Sequence, residues 1–292
     1  LVPLIACGCS SASAKHTGSK NLTLPDAAPP PGFGPSDAGT SGVFVKTVTG
    51  RFLDPNGAPP SSTDFTASVC GPICYFADSV SDGRFSTPIG ARIDLSQYSA
   101  LPHERPYVAG FYFALPTDAT GPAIDLGDLR IIAMPHDGAP IDLKGATAQV
   151  LTSGPATLEI ARGVGTHLEF DDVAAAAAGS EFRAVSVDGH LMGRFVPQDA
   201  DAIVALGPFE SYEVDAGGNV VPTRLTFDNT ARLAPGKPVR FLALGTYLHP
   251  DWIPPAEFTA VATGRVSADG APVDLDAGEG VLYLTWVAIW AT

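Results

Sequence analysis

Val43-Phe44-Val45-Lys46-Thr47-Val48-Thr49-Gly50-Arg51-Phe52-Leu53-Asp54-Pro55-Asn56-Gly57-Ala58-Pro59 is the stretch whose reading decides the fold. Its first half alternates two residue sets, Val43, Val45, Thr47 and Thr49 against Phe44, Lys46, Val48 and Gly50, which is the period of a β-strand. Its second half gathers Asp, Pro, Asn and Gly, the residues that stop a strand and set a turn. The same pattern continues downstream. Phe65 to Val69 reads as a strand, and Ser81-Asp82-Gly83-Arg84-Phe85-Ser86 as a turn leading into another. Val108 to Leu115, with Phe111, Tyr112 and Phe113, and Leu129 to Met134 follow. Further strands are expected at Thr147–Thr152, Ala156–Ala161, Thr166–Phe170, Phe182–Val187, Ala202–Leu206, Arg224–Phe227, Val239–Leu244, Phe258–Arg265 and Val281–Ala291. Turn residues between them recur at the spacing of β-sandwiches.

Composition points the same way. Of 292 residues, 31 are Gly and 27 Pro, and only 16% are charged, which favours short strands and turns over long helices. The length suggests about two domains, and 45% apolar residues suffice for real cores. A net charge of −14 with scattered Lys and Arg excludes the clustered basic surface that nucleic acid requires. It also disfavours electrostatic attraction to anionic lipid. The strongly apolar stretch Val281–Ala291 is too short to span a bilayer as a helix, which takes ~20 residues.

The run Leu4-Ile5-Ala6-Cys7 resembles the lipobox of bacterial lipoproteins. All four residues fit that motif. Before it lies only the tail of an apolar signal region, without a basic start, so the chain is expected to begin inside its signal peptide (1–6). The resemblance implies cleavage before Cys7 and lipid on that cysteine. Several acyl chains anchor stably where one is marginal. Gly8 after the cysteine is compatible with sorting to the outer membrane of a Gram-negative cell. The polar, Pro- and Gly-rich segment 7–42 then reads as a disordered tether.

A second resemblance rests on Val48 to Pro59 and on Ser81-Asp82-Gly83-Arg84-Phe85. Together they are similar to a carboxypeptidase-regulatory-like domain, a transthyretin-like β-sandwich with a D-x-x-G-x-P turn and a later D-x-x-G-x-F hairpin, here shortened to D-G-x-F. This implies a sandwich over 44–134 and a non-catalytic accessory role. The stretch from Val220 onward resembles repeats of bacterial surface lipoproteins without an assigned activity, on Asn229, Leu233, Pro235, Gly236 and Val239 and on Gly264, Val266, Asp269 and Gly270. Asp137-Gly138-Ala139-Pro140-Ile141-Asp142-Leu143 echoes Asp269-Gly270-Ala271-Pro272-Val273-Asp274-Leu275, as an old duplication or as a favoured turn recurring by composition.

Four cysteines are present. Cys7 is assigned to lipid by the first resemblance. Cys70 and Cys74 most simply form a disulfide closing a Gly-Pro loop in an exported protein, with free thiols, or a redox or metal pair, as alternatives. Cys9 is left over.

Chemistry is otherwise sparse. The nucleophile elbow GxSxG, HExxH, the P-loop and the EF-hand loop are absent. Gly163-Val164-Gly165 lacks the remainder of a dinucleotide fingerprint. His167, Glu169 and Asp171 alternate on one strand and so share a face; they could ligate a divalent ion or form a solvated face. Asp274 to Gly280 offers oxygen ligands in a Gly-rich loop, too few for calcium alone. His249-Pro250-Asp251-Trp252 places an imidazole, a carboxylate and an indole in one loop. With Tyr247 it could form an aromatic platform for a sugar or protein partner, or simply cover the end of a sandwich.

The expectation is an all-β protein of two β-sandwich-like domains (44–134 and 138–292) after a tether. Its expected role is non-enzymatic scaffolding or binding in the cell envelope, through a protein or polysaccharide partner, without a cofactor. Carbohydrate or cell-wall polymer binding is one alternative; a hydrolase with a non-sequential site is another.

Overall fold

The computed structural model describes residues 42–60, 65–77, 79–103, 106–169 and 177–292. The lipobox and Cys7, Cys9, most of the tether, Phe170 and Asp171 lie outside the described residues. Those described are all-β, with one single-turn helix, α1 (Gly189–Met192). No described helix is long and apolar enough to cross a membrane.

Eight strands come first: β1 (Val43–Leu53), β2 (Thr66–Cys70), β3 (Cys74–Phe76), β4 (Ser79–Ser81), β5 (Arg84–Ile93), β6 (Ser99–His103), β7 (Phe113–Ala114) and β8 (Ala123–Arg130). They form two four-stranded sheets, ordered β4-β5-β1-β8 and β3-β2-β6-β7. The turn after β1 is built by its aspartate. Asp54 Oδ1 accepts from Asn56 N and Ala58 N, both at 2.8 Å, and Gly57 takes φ +88°. Asp82 (φ 51°) and Gly83 (φ 73°) join β4 to β5, the two positive φ values that a tight hairpin demands. Phe52 stacks on Phe85 within the first sheet at 4.8 Å and reaches across to Phe65, just before β2, at 5.5 Å and to Phe113 of β7 at 5.8 Å.

The remaining strands are β9 (Ala139–Pro140), β10 (Gln149–Ser153), β11 (Ala156–Ile160), β12 (Gly165–His167), β13 (Glu181–Ser186), β14 (Ala202–Gly207), β15 (Tyr212–Val214), β16 (Val220–Val221), β17 (Arg224–Asp228), β18 (Pro238–Leu244), β19 (Phe258–Val266), β20 (Pro272–Leu275) and β21 (Trp286–Ala291). Ten of them form one sheet, β10-β11-β17-β20-β19-β18-β21-β14-β13-β9. The sheet is nearly closed, and Ala184 N of β13 donates to Ser153 Oγ at the end of β10. β12, β15 and β16 make a small third sheet beside it.

Alternation along β14 and β21 divides the molecule into two cores. Val204, Leu206, Val287 and Ile289 point into the curled sheet, with Phe182, Phe227 and Phe241. Ile203, Ala205, Trp286 and Ala288 point the other way and join Val45, Phe52, Phe85, Phe113 and Leu129 of the first eight strands. These two strands are therefore covered on both faces, which is why both read as unbroken apolar runs. The residues of 43–134 share one core with this face of the larger sheet.

Four expected strands need correction. Leu129–Met134 is strand only at Leu129 and Arg130, the end of β8. Val108–Leu115 is strand only at Phe113–Ala114, with a bridge from Val108 to Ala133. Phe111 and Tyr112 are drawn to different neighbours, and only Phe113 and Ala114 pair as a strand, with Ala100 and Ser99 of β6. In Val281–Ala291 only Trp286–Ala291 is strand. Thr166–Phe170 shortens to Gly165–His167 among the described residues. The two Asp-Gly-Ala-Pro segments also differ: Gly270 is left-handed (φ +79°) in the β19–β20 hairpin, whereas Gly138 is not and precedes the edge strand β9.

Candidate functional site

Two segments that look unrelated in sequence meet at one end of the large sheet. β12 pairs with β15 so that His167 lies opposite Tyr212, their rings 4.7 Å apart. The β18–β19 loop brings His249 and Trp252 to the same place. Its turn is closed by Trp252 N donating to His249 O at 3.0 Å. Gly245 permits the loop's return, since a Cβ there would fall 1.7 Å from Pro254 O. His249 then stacks flat on Trp252, centroids 4.1 Å apart and planes at 6°. Tyr212 meets both edge-on, at 5.2 and 5.4 Å. Tyr283 closes the inner side at 5.8 Å from each.

One carboxylate serves both imidazoles. Glu169 Oε2 is 3.5 Å from His167 Nε2 and 3.6 Å from His249 Nε2. The His249 side chain is 14% exposed and that of His167 50%, so the cluster runs from a buried floor to an open rim. His249 Nε2 itself has no hydrogen-bond partner. Burial pushes the Tyr212 hydroxyl up, with Glu169 adding to the shift. Burial raises Tyr283 well beyond the ordinary phenol range, the charge on Glu210 adding to it. Both phenols therefore stay protonated as hydrogen-bond donors.

Tyr247, expected beside Trp252, is placed differently. Its hydroxyl shares a 3.0 Å hydrogen bond with Ser99 of β6, and its ring meets Tyr112 at 5.0 Å. Burial pushes it up to about 12. Tyr112 donates in turn to the buried Glu210 Oε1 at 2.9 Å. Tyr247 thus ties the large sheet to the first eight strands.

The other candidates resolve simply. Among the described residues no group of three His, Cys, Asp or Glu side chains is placed to hold a metal ion. In the loop after β20, Asp276 and Glu279 accept from the Thr263 hydroxyl, and Arg265 pairs with Asp276 at 3.4 Å. Those carboxylates fasten the loop to β19. An open groove of about 330 Å³ crosses β5, β1 and β8 between Arg51, Arg84, Asp125 and Asp128. Its one ring, Phe85, is buried at 3% exposure under Gly50 and offers no stacking face.

A second polar group escaped the sequence reading. Cys70 and Cys74 are bonded to each other across β2 and β3. Ser68 Oγ lies 3.3 Å from Cys70 Sγ and 2.6 Å from His103 Nε2. Ser68 and Cys70 alternate on β2, a detectable signal; His103 joins them only through the β2–β6 register. Comparison with protein-family models, curated proteins and solved structures gives no match to this chain.

Proposed function

We propose that this is a non-enzymatic, lipid-anchored protein of the bacterial cell envelope. Its β structure binds an envelope glycan or cell-wall polymer through the His249–Trp252 end. The anchor half of the reading rests on Leu4-Ile5-Ala6-Cys7 and the polar tether after it.

The observation that carries the binding half is the parallel His249–Trp252 stack, braced by Tyr212 and joined through Glu169 to the exposed His167. Sugars are recognised by flat rings that cover their C–H faces and by fixed polar groups that bond their hydroxyls. Trp252, Tyr212 and His167 supply the rings here, and Glu169 and the imidazoles the polar groups.

Co-sedimentation with purified peptidoglycan sacculi, and titration against a panel of soluble bacterial polysaccharides, tests the binding half. Trp252→Ala is expected to weaken binding about tenfold or more, as for a central aromatic anchor. Tyr247→Phe, outside the cluster, is expected to leave it unchanged. Binding that survives Trp252→Ala would refute the assignment, as would failure of the unaltered protein to bind any of these polymers.

A further inference from the structure

The Ser68–His103 pair needs an explanation independent of the glycan reading. A disulfide that only staples two strands asks for no polar neighbours. Here a fully buried hydroxyl stands between the inner sulfur and an imidazole, 3.3 Å from Cys70 Sγ and 2.6 Å from His103 Nε2. Register explains the alignment. Ser68 and Cys70 share one face of β2, and cross-strand pairing places Phe76 and Cys74 of β3, with Ser99, Leu101 and His103 of β6, on the same face. Burial of Ser68 keeps it from any substrate, so a serine nucleophile is excluded. What remains within its reach is sulfur.

The two sulfurs differ in access. Cys70 is buried at 8% exposure, whereas Cys74 is exposed. Ile73 and Phe76, at 60% and 68%, stand uncovered on either side of Cys74. Exposed aromatic and branched side chains flanking an accessible sulfur are what an apolar stretch around a partner's cysteine would meet.

We infer that the Cys70–Cys74 bridge is a thiol–disulfide exchange site, entered at Cys74 by the thiolate of a dithiol reductant. The incoming thiolate attacks Cys74 Sγ. A new S–S bond forms there, the Cys70–Cys74 bond breaks, and Cys70 departs as a thiolate. Ser68 Oγ–H donates to that thiolate while Ser68 Oγ accepts from His103 Nε2–H, so the charge is met where it appears. A better-stabilised leaving thiolate leaves faster. The reductant's second thiolate then attacks its own sulfur in the mixed disulfide and releases Cys74. The reductant ends as a disulfide, and the Cys70–Cys74 pair has gained its two electrons.

The test uses the full chain carrying Cys7→Ser and Cys9→Ser, so that only this pair reports. Reduced glutathione traps the first step, and mass mapping locates the adduct. The expected results are glutathione on Cys74 and a rate that rises linearly with its concentration. Ser68→Ala and His103→Ala should each slow the reaction about tenfold, as expected when a leaving thiolate loses its stabilisation. Ser68→Thr, which keeps the hydroxyl, should restore it, separating this role from packing. An adduct on Cys70, a rate that saturates at the rate of global unfolding, or rates unmoved by both alanine variants would overturn the inference.

Discussion

Trp286→Ala is expected to lower the unfolding free energy by about 3–5 kcal/mol, the usual cost of emptying a buried aromatic site. Trp286 is wholly buried and sits on the face of β21 turned toward the first eight strands. Its indole N–H donates to Gly110 O at 2.7 Å, and Phe111 meets its ring edge-on at 4.6 Å. The substitution opens a cavity in the core shared by the two parts of the chain and strands the Gly110 carbonyl without its donor. Urea denaturation followed by near-ultraviolet circular dichroism measures the loss. A change below about 0.5 kcal/mol, the ordinary surface range, would mean that the two parts do not depend on this contact.

Glu213→Gln is expected to remove a pH dependence. Glu213 lies on β15 at 5% exposure, and its Oε1 has no hydrogen-bond partner. Burial pushes its carboxyl up to about 8, the Thr223 hydroxyl only partly offsetting this. Raised above its unfolded value, the group contributes stability that is fully present below the unfolded pKa of 4.5. From there to about 8 the unfolded chain releases a proton that the folded chain keeps, so stability falls with rising pH. The slope approaches ~1.4 kcal/mol per pH unit, or a few kcal/mol across the window. The Gln variant lacks this slope. It should match the unaltered protein near pH 5 and exceed it by a few kcal/mol near pH 8. Equal stabilities at both values would show the carboxyl to be ionised and solvated. Because β15 also carries Tyr212, ionisation of Glu213 bears on the strand that supports the aromatic cluster.

The parts of the fold governed by local rules were legible in the sequence. Asp54 and Gly57 form the turn that their types require, and Asp82-Gly83 makes the expected hairpin, because both are settled within a few residues. Ala202–Leu206 and Val281–Ala291 read as strands because apolar residues occupy both faces, and the second is strand from Trp286 on. Which sheets cover them depended on long-range packing. Val108–Leu115 misled for the same reason. Phe111 packs on Trp286, Tyr112 reaches Glu210 and Phe113 lies near Phe52, so opposite demands on neighbouring rings leave only Phe113 and Ala114 paired as a strand.

The site was half legible. His167 with Glu169, and His249 with Trp252, were each visible as local groups. Their meeting rests on the β12–β15 pairing and on the return of the β18–β19 loop, which no local pattern encodes. Tyr212 and Tyr283 carried no signal, since a lone tyrosine in a β pattern is ordinary core. Tyr247 was misplaced beside Trp252 because proximity in sequence is not proximity across a loop.

The glycan reading and the oxidised cysteine pair both presuppose an envelope compartment, so the anchor at Cys7 is the claim to test first. The measurement is intact mass and detergent partitioning of the protein expressed behind a complete signal peptide, beside Cys7→Ser. The account predicts diacylglyceryl and N-acyl mass on Cys7, partition into detergent, and loss of both in the variant. An unlipidated product that stays in the aqueous phase like the variant would contradict it.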